Sequence, residues 1–176
     1  SVHPGEGKTT ITLNLAITLA QSGRSVVVVD ADLRQGNCHS HLAMQNRYGL
    51  THLLTDLLPM DVCIQSSGVA GLSLIPRGTV PPNPTDLLGS SKMTEVVAGL
   101  RDRFDFVLID TPPALAISDA AVLSAICDGV LLVLRSQSTT PDAARQVVEQ
   151  FQSVGARILG AVLNGINIRD PDYAEY

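Results

Sequence analysis

Lysine is scarce in this chain: Lys8 and Lys92 are the only two, against ten arginines. Positive charge on the surface therefore comes from arginine, and Lys8 is not one of many solvated lysines. Positive charge is also in deficit overall, and a net charge of −5 argues against a general electrostatic footprint for nucleic acid, leaving room only for a small local patch. No hydrophobic run approaches the roughly 20 residues of a membrane span. Cysteine is sparse too. Cys38, Cys63 and Cys127 are far apart and odd in number, which argues against a disulfide framework and for a reduced, cytosolic compartment. No signal peptide is read, because the chain opens directly on a segment that carries chemistry. Internal repeats and low-complexity segments are missing as well. What is present is 176 residues, 45% of them hydrophobic and gathered in separated runs. Such a chain is not disordered and suits one domain with a substantial core.

The opening segment is Ser1-Val2-His3-Pro4-Gly5-Glu6-Gly7-Lys8-Thr9-Thr10. Gly7-Lys8-Thr9 ahead of an apolar helical pattern is the ending of a P-loop, whose backbone N–H groups cradle phosphates. The lysine of such a loop reaches the β/γ-phosphates and the threonine hydroxyl ligates Mg²⁺ of Mg·ATP or Mg·GTP. The first glycine of the general pattern would fall at Val2, so the motif is regular only in its second half. A buried strand normally precedes it, and that first strand is expected to be missing from the chain.

Apolar runs alternate with helical patterns from there on. Helices are expected at 10–21, with Gly23 as a stop, at 50–58, at 83–100, at 119–126 and at 140–154 behind the Thr140-Pro141 cap. Strands are expected at 26–29, 72–75, 104–109, 130–134 and 158–163. This alternation predicts an α/β, P-loop NTPase fold with a mostly parallel central sheet and helices on both faces. Ligands of such sheets sit beyond the carboxyl ends of the strands. Asp30, Asp110 and Asn164 each stand at one of those ends.

Asp110 follows four apolar residues and precedes Thr111-Pro112-Pro113, a stiff segment that would fix the carboxylate against a metal. Asp30 and Asp32 are spaced i, i+2, and extended geometry would aim both at the phosphates, one for a metal and one as a base. Arg34 is read as a partner of one of them or of a phosphate. Asn164 offers the donor and acceptor that an adenine edge needs, although Asn-Gly also commonly makes a turn. Asp119 reads as a helix cap, with a place near the γ-phosphate through water as the alternative. Cys38, His39 and His41 hint at a metal cluster, but their spacing matches no common zinc site, and an ordinary structural role is the better reading. Residues 168–176 are polar, without periodicity, and expected to form a mobile tail behind a domain spanning 1–167. Tyr173 and Tyr176 in that tail read as acceptor hydroxyls, interface anchors or membrane-proximal aromatics.

Taken together, these motifs resemble the cytoplasmic kinase domain of the bacterial tyrosine kinases of polysaccharide synthesis and export. The likeness runs through the Pro-Gly-Glu-Gly-Lys core at 4–8, Val28-Val29-Asp30-Ala31-Asp32-Leu33-Arg34, Pro76-Arg77-Gly78 with Pro82-Asn83-Pro84-Thr85-Asp86-Leu87-Leu88, and Leu108-Ile109-Asp110-Thr111-Pro112-Pro113. The resemblance implies ATP held by Gly5, Glu6, Gly7, Lys8, Thr9, Thr10 and Asn164, with Mg²⁺ at Thr9, Asp30 and Asp110. It implies catalysis by Lys8, Asp30, Asp32 and Asp110, with Asp32 the favoured proton acceptor although the roles of Asp30 and Asp32 are exchangeable. Tyr173 and Tyr176 would be phosphorylated between subunits of a homo-oligomeric ring. The implied partners are a membrane activator, fused or separate, and a tyrosine phosphatase, but no nucleic acid. The implied location is the cytoplasmic face of the cell membrane. Two other readings compete: a partitioning or cell-division ATPase switch, and an ATP-binding regulatory module without transfer chemistry. The ATPases characteristically carry an extra lysine early in the P-loop, and Val2 and His3 supply none.

Overall fold

Four consecutive valines build the centre of the molecule. The structure is a computed structural model that describes residues 1–115 and 117–167. Its elements, numbered in chain order, are α1 (Lys8–Gln21), β1 (Val26–Asp30), α2 (Cys38–His41), α3 (Leu50–Leu54), α4 (Met60–Cys63), β2 (Gln65–Ser66), β3 (Leu72–Ile75), α5 (Pro84–Leu88), α6 (Ser91–Arg101), β4 (Phe106–Asp110), α7 (Asp119–Ser124), β5 (Val130–Arg135), α8 (Pro141–Ser153) and β6 (Ile158–Asn164). Strand β1 is fully buried at every position. It pairs in parallel with β3 on one side and β4 on the other, and β2 adds an antiparallel edge to β3.

The alternation of a strand's side chains divides β1 between two cores. Val27 and Val29 pack with Leu33, Leu53, Ile75, Met93, Val97 and Leu100. Val26 and Val28 face Leu13, Ala16, Ala20, Leu72 and Leu74 on the α1 side. The uniform apolarity of Val26–Val29 thus reflects burial on both faces, as expected for a parallel strand covered by helices.

The expected single sheet is present as two pieces. β2-β3-β1-β4 form one, and β5 and β6 form a separate parallel pair. The P-loop start lies between them: Ser1 O accepts a hydrogen bond from Ala114 N, just beyond β4, at 2.8 Å. Val2 packs with Leu132 of β5 and Val147 and Phe151 of α8. An apolar residue therefore stands where the general motif has glycine, because that position belongs to the core.

Of three expected helix features, two change and one holds. The helix at 83–100 is two helices, α5 and α6, broken at Gly89-Ser90. Ser90 caps α6 by accepting from Met93 N at 3.3 Å, and it competes with helix continuation as serine does. Gly23 ends α1 as expected: with φ +87°, its N–H donates to Ala20 O while Arg24 N donates to Leu19 O, a Schellman closure. Asp119 does not cap α7; Ser118 holds the cap position, and Asp119 is buried inside the fold. Among the described residues, no helix is long and apolar enough to cross a membrane.

Leu100 is fully buried between α6 and β1. Leu100→Ala is expected to lower the unfolding free energy by about 2–5 kcal/mol, read by urea titration; a loss under about 1 kcal/mol would contradict this core assignment.

Candidate functional site

Glycine shapes the phosphate loop where other residues would be strained. Gly5 and Gly7 have φ of +77° and +91°, in the left-handed region that a Cβ disfavours. A Cβ on Gly7 would also stand 2.2 Å from Asn164 Nδ2. The first backbone donor satisfied inside α1 is Ile11 N, which reaches Gly7 O at 2.9 Å. The preceding N–H groups of Lys8, Thr9 and Thr10 are the unpaired donors of a helix start and favour an anion. Lys8 lies in this first turn, and no carboxylate among the described residues pairs with it within ion-pair distance.

The loop is braced from inside by Glu6. Its side chain is buried, Oε2 accepts from Val2 N at 2.7 Å, and Oε1 accepts from the Thr139 hydroxyl. Burial alone would raise its pKa, but the hydrogen bonds from Thr139, His3 and Val2 hold it below the usual range. The Glu6 carboxylate therefore faces the loop interior and not a bound phosphate; only its backbone is free to join the cradle. Arg135 Nη1 donates to Gly5 O at 2.8 Å, and Asn164 Nδ2 donates to Glu6 O at 2.9 Å. Thr139 and Arg135 carry no motif that the sequence could flag.

Asp30 and Asp110 are direct neighbours in the β1–β4 register. Thr9 Oγ1 donates to Asp110 Oδ2 at 2.6 Å, bringing the start of α1 to the ends of both strands. Cys38 N donates to Asp30 Oδ2 at 3.0 Å. Asp30 Oδ1 is buried without a hydrogen-bond partner, which is costly for a carboxylate oxygen unless a cation or proton meets it. Burial pushes the Asp30 pKa up to about 7; the Cys38 N–H offsets part of this, and the charges of Asp110 and Asp32 add to it. Burial likewise raises Asp110, against the Thr9 hydrogen bond. Orphaned oxygen, raised pKa values and an adjacent threonine hydroxyl are the donor set of a hard divalent cation.

Asp32 departs from the extended geometry expected of it. β1 ends at Asp30, and Asp32 Oδ1 accepts from Arg34 N at 3.2 Å and Gln35 N at 2.9 Å, an Asx turn. Its Oδ2 makes no hydrogen bond among the described residues. Arg34 pairs with neither Asp30 nor Asp32. Its guanidinium meets Asp119 Oδ2 and donates to Thr85 Oγ1 at 3.0 Å, while Thr85 donates to Asp119 Oδ1 at 2.6 Å. This network ties the β1 exit to α5 and α7 and gives Asp119 its partner. Cys38, passed over from spacing alone, sits at the carboxylates with Sγ 3.4 Å from Asp110 Oδ2. His39 and His41 do not join that cluster. Tyr173 and Tyr176 lie outside the described residues.

A family model described as an AAA domain matches residues 3–162. The tyrosine-protein kinase YwqD of Bacillus subtilis (strain 168) is 37% identical over 177 residues, covering 100% of this chain and 75% of that protein. The tyrosine-protein kinase etk of Escherichia coli (strain K12) is 38% identical over 163 residues, covering 93% of this chain but 22% of that protein. The chain thus spans under a quarter of that longer relative. Among solved structures, the kinase domain of Escherichia coli tyrosine kinase ETK matches with a TM-score of 0.92 at 37% identity, covering 94% of this chain and 65% of that one. The septum site-determining protein MinD of Pyrococcus horikoshii OT3, complexed with Mg-ADP, matches at 0.79 and 28% identity, covering 98% and 72%. The cell-division ATPase shares the fold, while the kinases agree better in both sequence and shape. With its nucleotide loop and paired strand-end carboxylates, the chain belongs to the bacterial tyrosine-protein kinases.

Proposed function

We propose that residues 1–167 are the catalytic domain of an ATP-dependent tyrosine autokinase, and that residues 168–176 carry its acceptors, Tyr173 and Tyr176. The observation that carries this reading is the 2.6 Å Thr9–Asp110 hydrogen bond beside the in-register Asp30. It joins the phosphate loop to two buried carboxylates at one point.

In this reading the N–H groups from Gly5 to Thr10 hold the phosphates of ATP, and Lys8 Nζ reaches the β/γ-phosphates. Thr9, Asp30 and Asp110 hold Mg²⁺, which supplies neutralisation of phosphate charge when bound. Asn164 spends one N–H on Glu6 O and one Oδ1 lone pair on Gly165 N. One donor and one acceptor remain for an adenine edge. The tyrosine oxygen forms a bond to the γ-phosphorus as the bond to the β,γ-bridging oxygen breaks, and ADP leaves. Asp32 accepts the phenolic proton on Oδ2, the oxygen its turn leaves free; Asp30 serves instead if the roles are exchanged. Asp32 is close enough for its charge to raise the pKa values of both Asp30 and Asp110, which supports all three carboxylates facing one reaction centre.

The proposal extends to assembly and regulation by resemblance to the family. Transfer occurs between subunits of a homo-oligomeric ring, a membrane activator switches it on, and a tyrosine phosphatase reverses it. The domain works at the inner face of the cell membrane in polysaccharide synthesis or export.

Mass-spectrometric mapping of the intact protein after incubation with Mg·ATP and its activator tests the reading. Phosphate is expected on Tyr173 or Tyr176, reduced at least about 100-fold in Lys8→Met and in Asp32→Asn. Phosphate release without phosphotyrosine would favour the ATPase switch, and neither product would leave a binding module. Gly7→Ala is expected to weaken nucleotide binding more than tenfold by calorimetry, since its Cβ would meet Asn164; unchanged binding would contradict this loop geometry.

Proton linkage gives an independent check. With the folded pKa of Asp30 raised to about 7 from 3.8, the metal-free folded state keeps a proton that the unfolded chain releases. The stabilising contribution is complete below about pH 4 and is lost as pH rises through about 7. In chelator, the unfolding free energy should fall over that window, and Asp30→Asn should flatten the fall and be the more stable protein at pH 8. A profile identical in the two proteins would rule out the raised pKa.

A further inference from the structure

Cys38 opens α2 with its side chain fully buried, and nothing in phosphoryl transfer calls for sulfur there. Its Sγ lies 3.4 Å from Asp110 Oδ2, and its backbone N–H fixes Asp30 through Oδ2. One ligand atom each from Asp30, Cys38 and Asp110 lie within 4.8 Å of one another, the one such grouping among the described residues. Asp30 Oδ1 adds an independent sign of a missing ligand, since it is buried and has no hydrogen-bond partner.

The sulfur changes which cation this grouping prefers. Mg²⁺ takes oxygen ligands in octahedral geometry, whereas thiolate favours softer ions of the Zn²⁺ class. A tetrahedral Zn²⁺ with Zn–S of about 2.3 Å and Zn–O of about 2.0 Å has an S···O edge of about 3.5 Å. The Cys38 thiol donates a hydrogen bond to Asp110 Oδ2 at 3.4 Å, so a cation that replaced this proton would find sulfur and oxygen already at about that separation.

We propose that Asp30, Cys38 and Asp110 form a binding site for a thiophilic divalent cation of the Zn²⁺ class, with Cys38 Sγ as a direct ligand. On binding, the thiol proton passes to solvent and the sulfur lone pair forms the metal–sulfur bond. Asp110 Oδ2 is shared, because it also accepts from Thr9. A cation held toward Cys38 draws that carboxylate from Thr9, so such a cation opposes Mg·ATP; this last consequence rests on the kinase reading, the binding itself does not.

Cd²⁺ is the probe, because its bond to thiolate gives an ultraviolet charge-transfer absorption. The intact protein, reduced and stripped of metal, is titrated without nucleotide, so the result is separate from any kinase assay. The band is expected to saturate at one Cd²⁺ per chain and to be displaced by Zn²⁺. Cys38→Thr should abolish it. Asp30→Asn keeps all three thiols and should weaken Cd²⁺ at least tenfold, with circular dichroism confirming that each variant is folded; Cys38→Ser replaces Cys38→Thr if the latter unfolds. No band in the wild type, a band retained without Cys38, or undiminished affinity in Asp30→Asn overturns the proposal.

Discussion

Two carboxylates sit side by side, both buried, at the ends of adjacent strands. Asp30 and Asp110 are adjacent in the β1–β4 register because the valines of β1 and the apolar run of β4 align residue for residue. The same burial that makes β1 the centre of both cores forces those charges together at its end. Buried like charges cannot both ionise without compensation. Thr9, the Cys38 N–H and the turn after β1 are all arranged around that constraint. It explains why the centre calls for a cation, and why the first turn of α1 is tied to the strand ends.

The phosphate loop is held by a second, opposite device. Glu6 is an acid turned inward, satisfied by Val2 and Thr139. Arg135 and Asn164 grip carbonyls of the same loop. Anchors from β5, the turn after it and β6 thus leave the loop's backbone donors facing outward. An anion meets a preformed cradle, which reduces the ordering cost of binding.

Much of this was legible in the sequence. Alternating apolar runs gave the parallel strands to within a residue or two, since fully buried strands need uniform apolarity. Gly7-Lys8-Thr9, Asp30 and Asp110 marked the candidate site, which the fold brings together, because strand ends carry ligands in such folds. Register was not legible, so the direct Asp30–Asp110 contact could not be foreseen. Neither could Cys38: its approach to Asp110 depends on the turn after β1, whose path is set by the Asx turn of Asp32 and the close fit of Gly36 against Asp30. Asp119 was misread because Asp-initiated helices commonly use the carboxylate as a cap, and here Arg34 from another element claims it. The break between α5 and α6 was hidden because Gly89 weakens a helix without necessarily ending it.

The phosphate loop is anchored from two groups of strands at once. Thr9 binds it to the four-stranded sheet through Asp110, while Arg135 and Asn164 bind it to the β5–β6 pair. A nucleotide seated on the loop would be held through anchors from both groups of strands, and by mass action its binding would stabilise the folded chain by about 2.7 kcal/mol at a ligand concentration 100 times Kd.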